Sequence, residues 1–141
     1  MKRKDLESCR ALVQELETLE EKYLKAKPGE DVGDTYGDYR SGYKVTKVMY
    51  GVSSKKAEQL REKIVTKTNK LGEKIYAIET WLDDIDDSFM RDVIRLYYVC
   101  GETQEEIGRR KHYSQARINQ RIEDFWQEYE AATGEAADND L

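Results

Sequence analysis

Residues 102–122 read ETQEEIGRRKHYSQARINQRI, and two helix starts stand in this stretch, at Thr103 and at Ser114. Thr103-Gln104-Glu105-Glu106 is a capping box: the Thr103 hydroxyl can accept from the Glu106 amide while the Glu106 carboxylate reaches back to the Thr103 amide. This predicts a helix from Gln104 to Lys111. His112-Tyr113 then makes a turn, since histidine tolerates positive φ moderately well, and Ser114 caps a second helix. That helix starts at Gln115 and carries Ile118, Ile122, Phe125, Trp126 and Tyr129. Ile107 and Gly108 are the apolar and the small residue such a pair needs in its first helix, and Tyr113, Ile118 and Ile122 can supply the buried contacts between the two. Two short helices joined in this way insert the second into the major groove of double-stranded DNA.

The residues left for the outer face have the chemistry for that task. Gln115 and Gln120 with Asn119 can form bidentate pairs with adenine, and Arg117 and Arg121 with guanine. Ser114 and Ala116 lie on the same turn of chain, and Arg109, Arg110 and Lys111 could hold phosphates beside it. Two positions depart from the usual pattern: Lys111 stands where an apolar residue is expected, and His112 where glycine is usual.

Working outward, Asp86-Asp87-Ser88 offers caps for a preceding helix whose inward face is Met90, Val93, Ile94 and Tyr97, closed by Cys100-Gly101. With the two helices after it, this makes a three-helix core. Further back, Leu6, Cys9, Val13, Leu16, Leu19 and Tyr23 recur at steps of three and four, the spacing of one helical face. Pro28-Gly29 ends that helix. Residues 28–52 hold five glycines and four tyrosines, Tyr36, Tyr39, Tyr43 and Tyr50, and read as a long loop. Ser53 or Ser54 can cap the next helix, along which Leu60, Ile64, Leu71, Ile75, Ile78, Leu82 and Ile85 form a coiled-coil seam. Two such helices pack as an antiparallel hairpin. One hairpin buries little apolar area per residue, so pairing with a second copy, a homodimer, is expected. After about Glu130 the chain has little to bury, and residues 131–141 read as an acidic flexible tail.

The 141 residues are 38% hydrophobic and 38% charged, with a net charge of -5. The signs are unevenly placed: residues 103–122 carry five basic and two acidic side chains, whereas 123–141 carry no basic and seven acidic ones. Overall acidity therefore does not exclude DNA. No apolar run approaches the roughly 20 residues that span a bilayer, and the N-terminus lacks the continuous apolar stretch of a secretory signal, which together imply a cytoplasmic protein with no membrane contact. Two cysteines far apart, Cys9 and Cys100, suggest reduced, packed thiols, and one histidine cannot build a His/Cys metal site. Asp83, Asp84, Asp86 and Asp87 flank a helix junction where acidic caps are ordinary. No catalytic triad, phosphate loop or metal-ligand spacing is present, so the expectation is a binding protein, not an enzyme, with no cofactor and no metal.

The stretch from Ile85 through Gly108, continued by Tyr113-Ser114-Gln115-Ala116-Arg117-Ile118-Asn119-Gln120-Arg121-Ile122, resembles region 4 of sigma-70-type factors. A coiled-coil part ahead of such a domain is similar to phage and prophage regulators of the ArpU and RinA type, which act on late genes. The resemblance implies double-stranded DNA binding through the helix from Ser114 to Gln120, and it allows RNA polymerase as a second partner. The resulting plan is an all-α chain: a helical hairpin or coiled coil over 1–86, a three-helix sigma region 4-like helix-turn-helix domain over 87–130, and the tail. Two other classes compete. A phage packaging protein akin to a terminase small subunit would form rings instead of dimers, and a coiled-coil adaptor without DNA affinity would show no salt-dependent binding.

Overall fold

The computed structural model describes residues 1–26 and 51–134, and these are all-helical. Helix α1 spans Arg3–Ala26 and α2 spans Gly51–Leu82. Helix α3, Ser88–Ile94, runs into a π-helical turn over Arg95–Val99; α4 is Gln104–Lys111 and α5 is Gln115–Thr133. The loop expected over 28–52, with its four tyrosines, lies outside the described residues except for Gly51 and Val52. Those two already belong to α2, so neither Ser53 nor Ser54 caps it. Among the described residues no helix is long and apolar enough to cross a membrane.

The chain divides into two compact units, one of residues 1–14 with 71–141 and the other of residues 15–70. A division at residue 86 would leave the three short C-terminal helices to bury their own core, and so few residues cover too little apolar surface. The ends of the two long helices complete it. Leu6 and Cys9 of α1 and Ile78 and Leu82 of α2 are buried in the same cluster as Met90, Ile94, Ile107 and Ile118. Trp81 stacks on Trp126 with ring centres 5.8 Å apart, and its Nε1 donates to the Tyr129 hydroxyl at 3.1 Å. Polar side chains of α1 tighten the same unit. Arg3 grips Glu123 with two hydrogen bonds of 2.9 and 2.6 Å, and Arg10, stacked 3.9 Å over the Tyr97 ring, donates to the Glu102 carbonyl at 2.8 Å.

In the other unit the rest of α1 lies beside the first part of α2. Lys67 pairs with Glu15 at 3.1 Å, and Tyr23 is near enough to Arg61 to bear on its charge, so the two helices run antiparallel. Leu16 and Ala57 are buried, Leu60 and Ile64 are half-buried, and Leu24 and Val65 remain 57% and 47% exposed. The apolar stripe of α1 includes Leu12 as well, which is buried beside the half-buried Val13.

The π-helical turn corrects the expected inward face of the third helix. The Cys100 amide donates to the Arg95 carbonyl at 3.0 Å, five residues back, and the extra residue in that turn rotates the chain so that Tyr98, not Tyr97, is buried. Trp126 Nε1 donates to the Tyr98 hydroxyl at 3.0 Å inside the core. The same rotation brings out Cys100, which is exposed and free instead of packed, while Cys9 is buried and free. Gly101 closes the turn at φ +77°, and a Cβ there would stand 3.0 Å from Val13 Cγ1. At the far end, residues 131–133 are helical, not frayed: Gly134 in the left-handed region caps α5, and Thr133 donates to the Tyr129 carbonyl at 2.8 Å. Residues 135–141 lie outside the described residues.

Candidate nucleic-acid interface

The local sequence builds the helix pair as a set of mutually dependent contacts. The Thr103 hydroxyl accepts from the Glu106 amide at 3.1 Å and the Glu106 carboxylate accepts from the Thr103 amide at 2.8 Å, closing both halves of the capping box. The bond from the Thr103 amide is also what holds the Glu106 carboxyl below the usual carboxylate range. His112 ends α4 in the left-handed region, at φ 62° and ψ 41°. Its neighbour Tyr113 donates through its amide to the Gly108 carbonyl at 2.9 Å. This brings the Tyr113 carbonyl so close that a Cβ at position 108 would lie 2.4 Å from it, which is why the small residue of the pair is a glycine. Ser114 then caps α5, its hydroxyl accepting from the Arg117 amide at 3.1 Å.

On α5, Ile118, Ile122 and Trp126 face the core, and the first two turns present the other side to solvent. Ser114, Gln115, Ala116, Arg117, Asn119 and Gln120 are all exposed there. Arg121 is not a free member of this face. It is half-buried, its guanidinium 4.7 Å from the centre of the Phe89 ring and one of its nitrogens 4.0 Å from an oxygen of Asp87, the residue that caps α3. The face ends where acids begin: Glu123 is held by Arg3, and Asp124 accepts from Gln120 at 2.8 Å.

The basic run before the turn is more constrained than its sequence suggests. Arg109 and Arg110 are well exposed, with Glu105 at 3.6 Å from the first and Glu102 bonded to the second. Lys111 is turned back onto the domain, with only 23% of its side chain exposed; it pairs with Asp92 and stands 5.7 Å from the Phe89 ring centre. A lysine can occupy this semi-apolar position because its stem packs while its ammonium reaches a carboxylate. Among the described residues, Arg117 is the one basic side chain of the five in 103–122 without a carboxylate partner, and it lies 5.3 Å from the Tyr113 ring centre. Phe89 and Tyr113, 5.1 Å apart, thus form an aromatic floor under three cations, a feature sequence reading passed over because one lies in α3 and the other in the turn between α4 and α5, 24 positions on. Gln104 was also passed over. Its signal was its place as first residue of α4, matching Gln115 as first residue of α5.

A helix pair of this geometry, with an exposed amidic and basic helix start, can enter the major groove of DNA. Residues 88–124 match the family model of Sigma-70, region 4. Sigma-70 region 4 is a DNA-binding helix-turn-helix domain, and the match runs from α3 into the middle of α5, leaving α1 and α2 outside it. No curated protein and no solved structure matches the chain. Of the four acids at the α2–α3 junction, Asp87 is the cap of α3, accepting from the Met90 amide at 3.2 Å, and Asp83, Asp84 and Asp86 are exposed. Among the described residues no group of three or more histidines, cysteines or acids is placed to hold a metal ion.

Proposed function

We propose that this chain is a sequence-specific double-stranded DNA-binding transcription regulator of the phage or prophage late-gene kind, acting in the cytoplasm by binding and not by catalysis. The observation that carries the reading is the start of α5, where Gln115, Ala116, Arg117, Asn119 and Gln120 are exposed together on a helix delivered by a region 4-like domain. Gln115, Asn119 and Gln120 offer amides for base edges, Arg117 a guanidinium for guanine or a phosphate, and Arg109 and Arg110 further phosphate contacts. The Arg109–Glu105 pair is exposed on both sides, and such pairs are worth only about 0–1 kcal/mol, so a phosphate can replace that carboxylate at little cost, whereas Arg110 also binds the largely covered Glu102 and keeps its outer face for a phosphate. Lys111 and Arg121 act from behind, holding the turn and the α5 start against Asp92 and Asp87.

The regulator acts as a homodimer. The incompletely covered Leu60 and Ile64, with the exposed Leu24 and Val65, support pairing of long helices from two copies, and a dimer would place two region 4-like domains on two half-sites. RNA polymerase is the second partner, on the strength of the resemblance alone.

The test is fluorescence anisotropy on promoter-length duplex DNA across a salt series, with the mass of the complex from light scattering. Two copies on DNA and binding that weakens steeply with salt are the expected results, and Arg117→Ala and Gln115→Ala should weaken specific binding without altering the helical circular dichroism. Absence of binding at low salt would turn the reading toward a protein adaptor, and a ring of many copies toward DNA packaging.

A further inference from the structure

The first residues of α4 and α5 are both glutamines, and their side chains meet. Gln115 Nε2 donates to Gln104 Oε1 at 2.6 Å, and Gln104 Nε2 donates to Asn119 Oδ1 at 3.0 Å. A primary amide has one accepting end and one donating end, so a three-residue relay of this kind has a direction. Gln115 spends one N–H and keeps its whole carbonyl. Asn119 spends one lone pair and keeps both of its N–H groups. Gln104 itself is pinned at the α4 start, next to the capping box of Thr103 and Glu106.

The direction bears on what can be read. A solitary surface amide turns over freely and offers oxygen or nitrogen with little preference. Here Gln115 and Asn119, four residues and one helical turn apart on the exposed start of α5, are held in opposite senses. In the major groove, adenine N6 and cytosine N4 are donors, whereas guanine O6 and N7 and thymine O4 are acceptors. A carbonyl kept free therefore selects a base with an amino group, and an NH2 kept free selects a base rich in acceptors.

We propose that Gln104 is a positioning residue for base readout, one that leaves the Gln115 carbonyl free for adenine or cytosine and the Asn119 amino group free for guanine or thymine. The proposal rests on the DNA-binding reading above. Gln104 acts through its two neighbours and needs no contact with a base of its own. Replacing it with alanine frees both amides to turn over and levels both preferences. Replacing it with glutamate has a different result. A carboxylate still accepts from Gln115 Nε2 but can no longer donate, so Asn119 must turn its Nδ2 toward it and present Oδ1 instead. The preference opposite Asn119 inverts while that opposite Gln115 stays.

The experiment is selection of bound sequences from a randomised duplex library by the full chain, its Gln104→Ala and its Gln104→Glu variants, with affinity and salt dependence followed by anisotropy. Glutamate is favourable in the first turn of a helix, so the second variant keeps its fold even where alanine loosens the turn. The expected result is a loss of about tenfold in base discrimination at both positions for Gln104→Ala, and an inverted preference at one position for Gln104→Glu. Base preferences that survive both substitutions, with salt-dependent binding retained, overturn the relay and leave the DNA reading intact. If the unmutated chain shows no salt-dependent binding at all, the DNA reading fails and the relay fails with it.

Discussion

Among the described residues Gly72 and Gly108 lie in the interior of helices, and the same substitution at each should move stability in opposite directions. At Gly72, in α2, a Cβ would meet nothing within 4 Å. Gly72→Ala should therefore stabilise by about 0.5–1 kcal/mol, the ordinary helix-propensity and chain-entropy gain. At Gly108 the added Cβ would sit 2.4 Å from the Tyr113 carbonyl oxygen. To reach even 3.0 Å the two must separate by about 0.6 Å, and the obstacle is backbone, tethered by the 2.9 Å bond from the Tyr113 amide to the Gly108 carbonyl. Overpacking of this kind costs about 1–3 kcal/mol and a stretched backbone bond about 1 more, against the same propensity gain of nearly 1. The net is a destabilisation of about 1–3 kcal/mol, and for a unit of this size each kcal/mol lowers the melting temperature by roughly 4–8 °C. Thermal unfolding followed by circular dichroism at 222 nm reads both variants. Equal stabilisation by the two substitutions would refute the close approach of α4 to the turn, and with it the reason offered for glycine at that position.

Tyr98→Phe strands the buried Trp126 Nε1 without its acceptor and should cost about 1–3 kcal/mol in chemical denaturation, whereas an unchanged midpoint would mean the hydroxyl is not the indole's partner. The carboxyls of Glu79, Glu106 and Glu123 are held below their ordinary 4.5 by Arg95, by the Thr103 amide and by Arg3 respectively. The unfolded chain then binds more protons than the folded one once pH falls through 4.5, so melting temperature should drop below that pH. Glu123→Gln should make the drop shallower, and a profile flat from pH 6 to pH 3 would count against all three pairs. The salt slope of DNA binding should match about three phosphate contacts per chain, from Arg109, Arg110 and Arg117, or roughly −3 in log K against log salt; Lys111→Gln should leave it unchanged, and a loss of one unit on that substitution would show that Lys111 reaches DNA.

What was legible in the sequence was local. The bounds of α4, its capping box, the serine cap of α5 and the left-handed turn at His112 depend on residues within a few positions of each other, and all of them are as expected. What was not legible depended on register or on distant partners. The choice of Tyr98 over Tyr97 turns on one extra residue in a π-helical turn, and a periodicity of 3.6 cannot register that insertion. Lys111 read as a phosphate ligand because Asp92, the residue that engages it, lies in another helix. The ends of α1 and α2 read as a separate hairpin because nothing in their spacing says that Leu6, Cys9, Ile78 and Leu82 complete a core begun eighty residues away in one case and next door in the other.

The acids around the start of α5 explain how a chain of net charge -5 can still offer DNA a usable face. Most of them are occupied: Glu102 by Arg110, Asp92 by Lys111, Glu123 by Arg3 and Asp124 by Gln120. An engaged carboxylate presents less field to an approaching phosphate than a free one, and at physiological salt what remains is screened within about 8 Å. The same acids also set a limit. Glu123, Asp124, Glu128 and Glu130 line the later turns of α5, so a DNA backbone that follows the helix beyond Arg121 meets like charge. On the proposed DNA-binding reading, contact along α5 would thereby be confined to the two turns that carry Gln115, Ala116, Arg117, Asn119 and Gln120. Confinement of this sort costs affinity, since few phosphates are neutralised, but it puts a larger share of the binding energy into base edges, which is where sequence preference is made.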